Sequence, residues 1–104
     1  MYKAIDVARY VVQWCIDNNH PINNVQLQKV LYHIQNVYAE ASMSAFEDDI
    51  EWRIFGPVIP DVYYDYCGSG ALPIDIAGEC GYINEEDTVI FDLILEQYFK
   101  TFKD

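Results

Sequence analysis

Basic residues are scarce in this sequence. Six Lys and Arg stand against 17 Asp and Glu in a chain of 104 residues, which gives a formal net charge of −11 and an isoelectric point near 4.2. Most of the excess lies between residues 40 and 96, which hold 14 acidic side chains and a single basic one, Arg53. Such a field repels phosphate backbones, so the composition argues against direct DNA or RNA binding and favours a protein partner with a basic surface.

Long apolar runs are also missing. No segment approaches the roughly 18 uncharged residues that a membrane span requires. The N-terminal sequence MYKAID has neither the basic region nor the apolar region of a secretion signal. We therefore expect a cytoplasmic protein that has no contact with a membrane.

Cysteine and histidine are too few and too scattered to predict a zinc site. The three cysteines show no CxxC spacing and lie apart from both histidines, whereas zinc sites use closely spaced pairs of these residues. Carboxylates at residues 47–51 could hold a metal in a small hydrolase or nuclease, but a solvated turn is the favoured interpretation of that cluster. The sequence predicts neither a metal nor any other cofactor.

Recognisable catalytic motifs are absent. The sequence has no GxSxG nucleophile elbow and no glycine-rich phosphate loop, and the triplet Gly68-Ser69-Gly70 is better explained as a helix stop. His33 has no nucleophile or acid tied to it by local spacing. We therefore predict that the protein is not an enzyme.

Core-forming residues, in contrast, are plentiful. Hydrophobic residues make up 52% and aromatic residues 15% of the chain, which suits one domain over residues 1–104. Helical spacing predicts helices over about residues 4–18 and 23–41, a short helix from Pro60, and a last helix from the Asn84 cap. A two-residue period at residues 50–55 predicts one strand. The expected fold is mainly α (α+β), a compact four-helix domain with a short β element before a Gly-Pro-Val-x-Pro turn.

The last predicted helix is apolar on two sides. Lys100 and Lys103 suit the negative pole at its C-terminal end. One apolar stripe consists of Ile90, Leu93, Ile94 and Tyr98. The second stripe consists of Phe91, Leu95, Phe99 and Phe102. A terminal helix in a small domain usually buries one such stripe, so the second is a candidate surface for self-association in a homodimer. The alternative is a central helix that buries both stripes.

A family resemblance is carried by residues 6–10, which read DVARY, and by two longer motifs. The first motif lies within residues 25–32, VQLQKVLY, and the second within residues 50–63, IEWRIFGPVIPDVY. In this order and at this spacing they resemble the Panacea domain family, which includes SocA-like antitoxins and phage-associated GepA-like proteins. The resemblance covers about residues 5–98. Family members commonly continue into a further C-terminal segment, which this sequence lacks.

The resemblance implies a cytoplasmic, mainly helical module of a mobile genetic element that acts by binding another protein. Most motif residues are expected to be structural, with Gly56 supplying the positive φ of a tight turn and Trp52 buried. These structural residues are Leu27, Gln28, Tyr32, Trp52, Gly56, Pro57, Pro60 and Tyr63.

The expected function is that of an antitoxin-like or inhibitor protein, which neutralises a toxin or host defence protein through an acidic, aromatic-containing surface. The residues predicted to bind the partner are Glu47, Asp48, Asp49, Glu51, Arg53, Tyr64 and Asp65. The alternative is a phage-encoded, anti-CRISPR-like inhibitor of a nucleic-acid-binding defence enzyme, in which carboxylates imitate the phosphates of DNA.

Overall fold

The computed structural model describes residues 1–102 and confirms the mainly α (α+β) fold class. Helices α1, α2, α3 and α4 span Ala4–Asp17, Asn24–Glu40, Pro60–Asp65 and Glu85–Thr101. Strands β1 and β2 span Glu51–Arg53 and Gly56–Val58, and a short 3₁₀ helix follows α3 at Cys67–Ser69. Lys103, expected near the end of the last helix, lies outside the described residues. None of the helices in this range combines the length and the apolar character needed to cross a membrane.

Local capping explains where two of the long helices begin. Asn23 and Gln26 form a capping box at the start of α2, each side chain accepting a hydrogen bond from the backbone N–H of the other at 2.9 Å. Asn84 caps α4 through its side-chain oxygen, and three acids follow in the first turn. These groups satisfy N–H donors that a helix start leaves free and complement its positive end.

The core lies between α1, α2 and α4. Helix α1 buries six side chains and packs against α2 and α4 as well as the short α3. Phe91 of α4 is fully buried, and its ring lies 5.8 Å from the rings of Tyr10 and Tyr38 and 6.5 Å from that of Tyr2. Tertiary packing of this aromatic cluster therefore attaches α4 to both other long helices.

The predicted self-association stripe of α4 faces the core, which corrects the sequence-based interpretation. Phe91 and Leu95 are fully buried, and Phe99 is half-buried beside Trp14 and His20. Phe102 alone among the four is exposed. The reason is that α4 packs against both α1 and α2, so its aromatic side fills the groove between them.

Asp87 joins the start of α4 to two other parts of the chain. The hydroxyls of Tyr2 and Tyr38 donate to its two carboxylate oxygens at 2.6 and 2.5 Å. Burial by itself would raise the pKa of this carboxyl, but the hydrogen bonds from Tyr2, Tyr38 and Asn84, together with the positive charge of the N-terminus, outweigh it and lower the pKa below its ordinary value of 3.8. The folded state therefore favours the ionised carboxylate.

We predict a pH-dependent stability effect for Asp87→Asn. A lowered pKa in the folded state contributes stability above the ordinary pKa, and this contribution disappears as pH falls through the folded value. At about pH 7 the variant should lose about 1.5–3 kcal/mol in the free energy of unfolding, the range for hydrogen bonds to a charged group. At about pH 3 the difference from wild type should be smaller. Urea denaturation at both pH values measures it, with the exposed Asp49→Asn as control, and an equal loss at both would contradict this account.

The β element is a hairpin rather than one strand, which corrects the prediction for residues 50–55. Its strands pair antiparallel, with Arg53 opposite Gly56 and Glu51 opposite Val58. Ile54 and Phe55 form the two-residue turn. Gly56 has a φ of +111°, as predicted, but it begins β2 instead of closing the strand. The turn was not recognisable because neither Ile nor Phe is a usual turn residue.

Candidate functional site

A buried amide holds the hairpin in place. The Gln28 side chain in α2 is almost completely buried. Its oxygen accepts a hydrogen bond from the backbone N–H of Ile59 at 2.9 Å, and its nitrogen donates to the Asn24 side-chain oxygen at 3.0 Å. Asn24 in turn donates to the backbone carbonyl of Tyr63 in α3 at 2.9 Å. This network connects α2 to the segment between β2 and α3.

The network supplies a physical reason for the pairing of the two sequence motifs. Gln28 belongs to the first motif, whereas Ile59 and Tyr63 belong to the second. Three more residues predicted to be structural lie in the same elements. Leu27 and Pro57 are buried, and Pro60 occupies the first turn of α3. The structure thus brings the two motifs together at one junction through Gln28 and Tyr63.

Trp52 is an exception and corrects the expectation of a buried tryptophan. Its side chain is 65% exposed and contacts Tyr32 edge-on, with the ring centroids 5.1 Å apart. All three residues of β1 are exposed, whereas β2 packs against α2. A two-stranded sheet with helical cover only at its second strand leaves the first strand open to solvent.

The exposed side chains of the hairpin, together with Tyr64 of α3, are here called the hairpin surface, defined as Trp52, Arg53, Ile54, Phe55 and Tyr64. Ile54 and Phe55 at the turn are 92% and 70% exposed, and Tyr64 in α3 is also exposed. Beside the turn lies a groove of about 260 Å³. Its lining residues are Val25, Gln28, Arg53, Ile54, Phe55, Pro57, Val58 and Tyr63. Exposed apolar side chains of this size are a common feature of interaction surfaces, so the hairpin surface is the candidate site.

Arg53 and Glu51 add a polar edge to the hairpin surface. The guanidinium donates two hydrogen bonds to one Glu51 carboxylate oxygen, the shorter at 2.6 Å. The hydrogen bond to Glu51, with a further one involving Tyr64, raises the pKa of Arg53. Three of the residues predicted to bind a partner therefore occur together beside the exposed turn.

The remaining predicted partner-binding residues divide into two groups. Glu47 and Asp49 are exposed in the segment that leads into β1. Asp48 is half-buried, and its carboxylate accepts the backbone N–H of Ala4 at 2.9 Å, which caps α1. Asp65 pairs with Arg9 of α1 at 3.2 Å. Asp48 and Asp65 thus support the fold rather than the hairpin surface.

Trp52, Ile54 and Phe55 are the members of this surface that sequence reasoning did not propose as binding residues: Trp52 was expected to be buried, and Ile54 and Phe55 were given no role. The signal for Ile54 and Phe55 was present, because two large apolar residues precede the glycine of a Gly-Pro turn motif. An alternating pattern alone does not reveal it, since one side of a strand is normally buried. Only the placement of the turn shows that both side chains extend into solvent.

Among the described residues, the potential metal ligands are dispersed, and the potentially reactive groups Cys15 and His33 are packed within the fold. Within residues 1–102, no three side chains of His, Cys, Asp or Glu are grouped as metal ligands. Cys15 is buried, and burial raises the pKa of its thiol to about 12. The His33 ring packs 5.2 Å from the ring of Tyr98 and 6.2 Å from that of Phe102. These surroundings are those of packed side chains.

Comparison of the chain with protein-family models, with curated proteins and with solved structures gives no match. The resemblance to the Panacea domain family therefore stays a prediction that is carried by the sequence motifs.

Proposed function

We propose that this protein is an antitoxin-like or inhibitor protein that neutralises a protein partner in the cytoplasm by direct binding through the hairpin surface. The observation that carries the proposal is the exposure of Trp52, Ile54 and Phe55 on one hairpin. In a small protein, a large apolar side chain normally stabilises the fold, because each one buried in the core contributes about 1.5–3 kcal/mol to the free energy of unfolding. Keeping three of them in water costs stability that partner binding would recover.

The contacts that hold the hairpin surface in a fixed position support a binding role. Gln28 and Asn24 hold the hairpin and α3 to α2 through buried hydrogen bonds. Tyr32 packs against the Trp52 ring from the same helix. A surface held in position before binding loses less conformational entropy when the partner docks. Aromatic side chains on such a surface are typical energetic centres of protein interfaces.

The exposed acidic residues beside the hairpin surface indicate what kind of partner would bind there. Glu47, Asp49 and Glu51 are exposed along the segment that enters the hairpin, and the chain carries a net charge of −11. A partner that offers an apolar pocket flanked by Lys or Arg matches this arrangement. The same charge accelerates its association at low ionic strength.

The DNA-mimic alternative receives less support, because many carboxylates already serve the fold. The acids with hydrogen-bond partners inside the chain include Asp6, Asp48, Asp65, Asp87 and Asp92. A phosphate-like array needs carboxylates that are free to face a basic cleft. An exposed aromatic turn is, in contrast, a feature that DNA mimicry does not require.

Co-expression with the product of the neighbouring gene tests the proposal. The wild-type protein should relieve the toxicity of that product and form a complex with it. Trp52→Ala and Phe55→Ala should each raise the dissociation constant of the complex at least about 30-fold, which corresponds to about 2 kcal/mol of binding free energy. Tyr82→Ala is the matched control, since Tyr82 is an exposed aromatic residue outside the hairpin surface. Isothermal titration calorimetry gives the affinities.

Three outcomes would refute this function. Absence of both growth rescue and complex formation would remove the antitoxin-like role. Unchanged affinity in Trp52→Ala and Phe55→Ala would move the binding site away from the hairpin. Displacement of the protein from its partner by duplex DNA, together with affinity insensitive to both variants, would favour the DNA-mimic alternative.

A further inference from the structure

The solvent side of α4 carries an apolar strip that the core does not use. Val89 and Leu93 are 58% and 61% exposed, and Ile90 beside them is exposed as well. These side chains lie on the opposite side of the helix from Phe91 and Leu95, which are buried. The strip contains no residue of the hairpin surface.

Charged residues of opposite sign lie at the two ends of this strip. At about 100° per residue, positions 86, 93, 97 and 100 fall on one side of a helix. Glu86 lies near the start of α4 and Lys100 near its end, and both are exposed. Among residues 1–102, neither forms an ion pair within its own chain. The α4 outer face is defined as Glu86, Val89, Ile90, Leu93, Gln97 and Lys100, with the exposed Glu96 at its edge.

We propose that two copies of this chain associate through their α4 outer faces, antiparallel, about a two-fold axis at Leu93. In such a pair, Leu93 meets Leu93 of the second copy, because position 93 is midway between 86 and 100. Glu86 of each copy then meets Lys100 of the other at both ends. Val89 and Ile90 pack beside the opposing Leu93 and over the stem of the opposing Gln97.

The charge pattern selects a second copy as the occupant. A face with an acid at one end, a base at the other and apolar residues between is complementary to itself only when the two helices run in opposite directions. A parallel pair would bring Glu86 against Glu86. A two-fold axis is the usual symmetry of soluble homodimers and reproduces both ion pairs from one surface. The net charge of −11 on each copy opposes association at low salt, and this repulsion is largely screened near 0.15 M salt, where the Debye length is about 8 Å.

Sedimentation velocity over a concentration series at near-physiological salt tests the dimer. Wild type should shift from monomer to dimer as concentration rises, and Leu93→Asp should raise the dissociation constant at least about tenfold, because two carboxylates would meet at the axis. Leu72→Asp is the control, since Leu72 is comparably exposed outside α4. A wild-type protein that stays monomeric up to millimolar concentration, or equal weakening by both variants, would overturn the proposal.

A charge exchange tests the antiparallel arrangement itself. Glu86→Lys and Lys100→Glu should each weaken the dimer, because each single variant brings like charges together at both ends. The double variant should restore it. Both substitutions oppose the helix dipole, so the double variant should be the least stable monomer, and recovery of the dimer cannot come from a more stable helix. Failure of the double variant to associate better than either single variant would reject the antiparallel pairing.

Discussion

Gln28→Ala is expected to lower the free energy of unfolding by about 3–5 kcal/mol. The substitution leaves the backbone N–H of Ile59 without its acceptor and the side-chain oxygen of Asn24 without its donor. An unsatisfied buried polar group costs about 1–3 kcal/mol, and the space left by the truncated side chain adds a further loss of packing. Urea denaturation followed by tryptophan fluorescence measures the change.

Asn36→Ala provides the control, because Asn36 carries a side-chain amide in the same helix at an exposed position. Its effect should stay within about 0.5 kcal/mol. If Asn36→Ala lost as much stability as Gln28→Ala, the loss would come from removing any side-chain amide from α2. Burial of the Gln28 amide would then not explain the result. Gln28→Ala protein that remains folded should also bind the partner more weakly, since the hairpin surface depends on this junction.

Phe91→Ala is expected to destabilise the protein by about 3–5 kcal/mol, the usual range for truncation of a buried aromatic residue. Its ring lies among Tyr2, Tyr10 and Tyr38, whose hydroxyls bond to Asp87 and Asp92. Loss of the ring therefore weakens the packing that supports these hydrogen bonds. The total free energy of unfolding of a small domain is only about 5–15 kcal/mol, so Phe91→Ala should also lower the melting temperature markedly.

Phe55→Ala carries the same substitution at an exposed position and should change stability by no more than about 0.5 kcal/mol. The pair of variants thus separates core from surface aromatics by thermal melts alone. If Phe91→Ala melted like wild type and instead abolished self-association, the original interpretation of this stripe as an interface would be restored. The near-native stability expected of Phe55→Ala also qualifies it for the partner-binding test.

Several features of the fold follow from residues that are close together in the chain. Asn23 and Asn84 cap helices through bonds to residues three positions away. The helical spacing of the apolar residues likewise predicts α1, α2 and α4. Gly56 has the positive φ expected from its place in the Gly-Pro motif. Such local patterns determine element type because the interacting groups are brought together by the helix or the turn itself.

The candidate site, in contrast, depends on contacts between distant residues. Gln28 bonds to a backbone group 31 positions later, and Asp48 caps a helix that begins 44 positions earlier. From composition alone, Asp48 is expected to be one more acidic residue on the surface. The spacing of residues in the sequence does not distinguish it from its neighbour Asp49. The role of such a carboxylate depends on the hydrogen-bond donor that the fold places beside it, and for Asp48 that donor lies far away in the sequence.

The sequence by itself determined the fold class, the helix starts and the acidic character of this protein, because each depends on composition or on neighbours within about one helical turn. Only the tertiary structure decided which side of α4 is buried, because both sides are apolar and the choice depends on the groove between α1 and α2. The exposure of Trp52, Ile54 and Phe55 was decided in the same way. An apolar residue is buried only where another element is available to cover it: α2 packs against β2, whereas all three residues of β1 stay exposed and Trp52 contacts Tyr32 only edge-on.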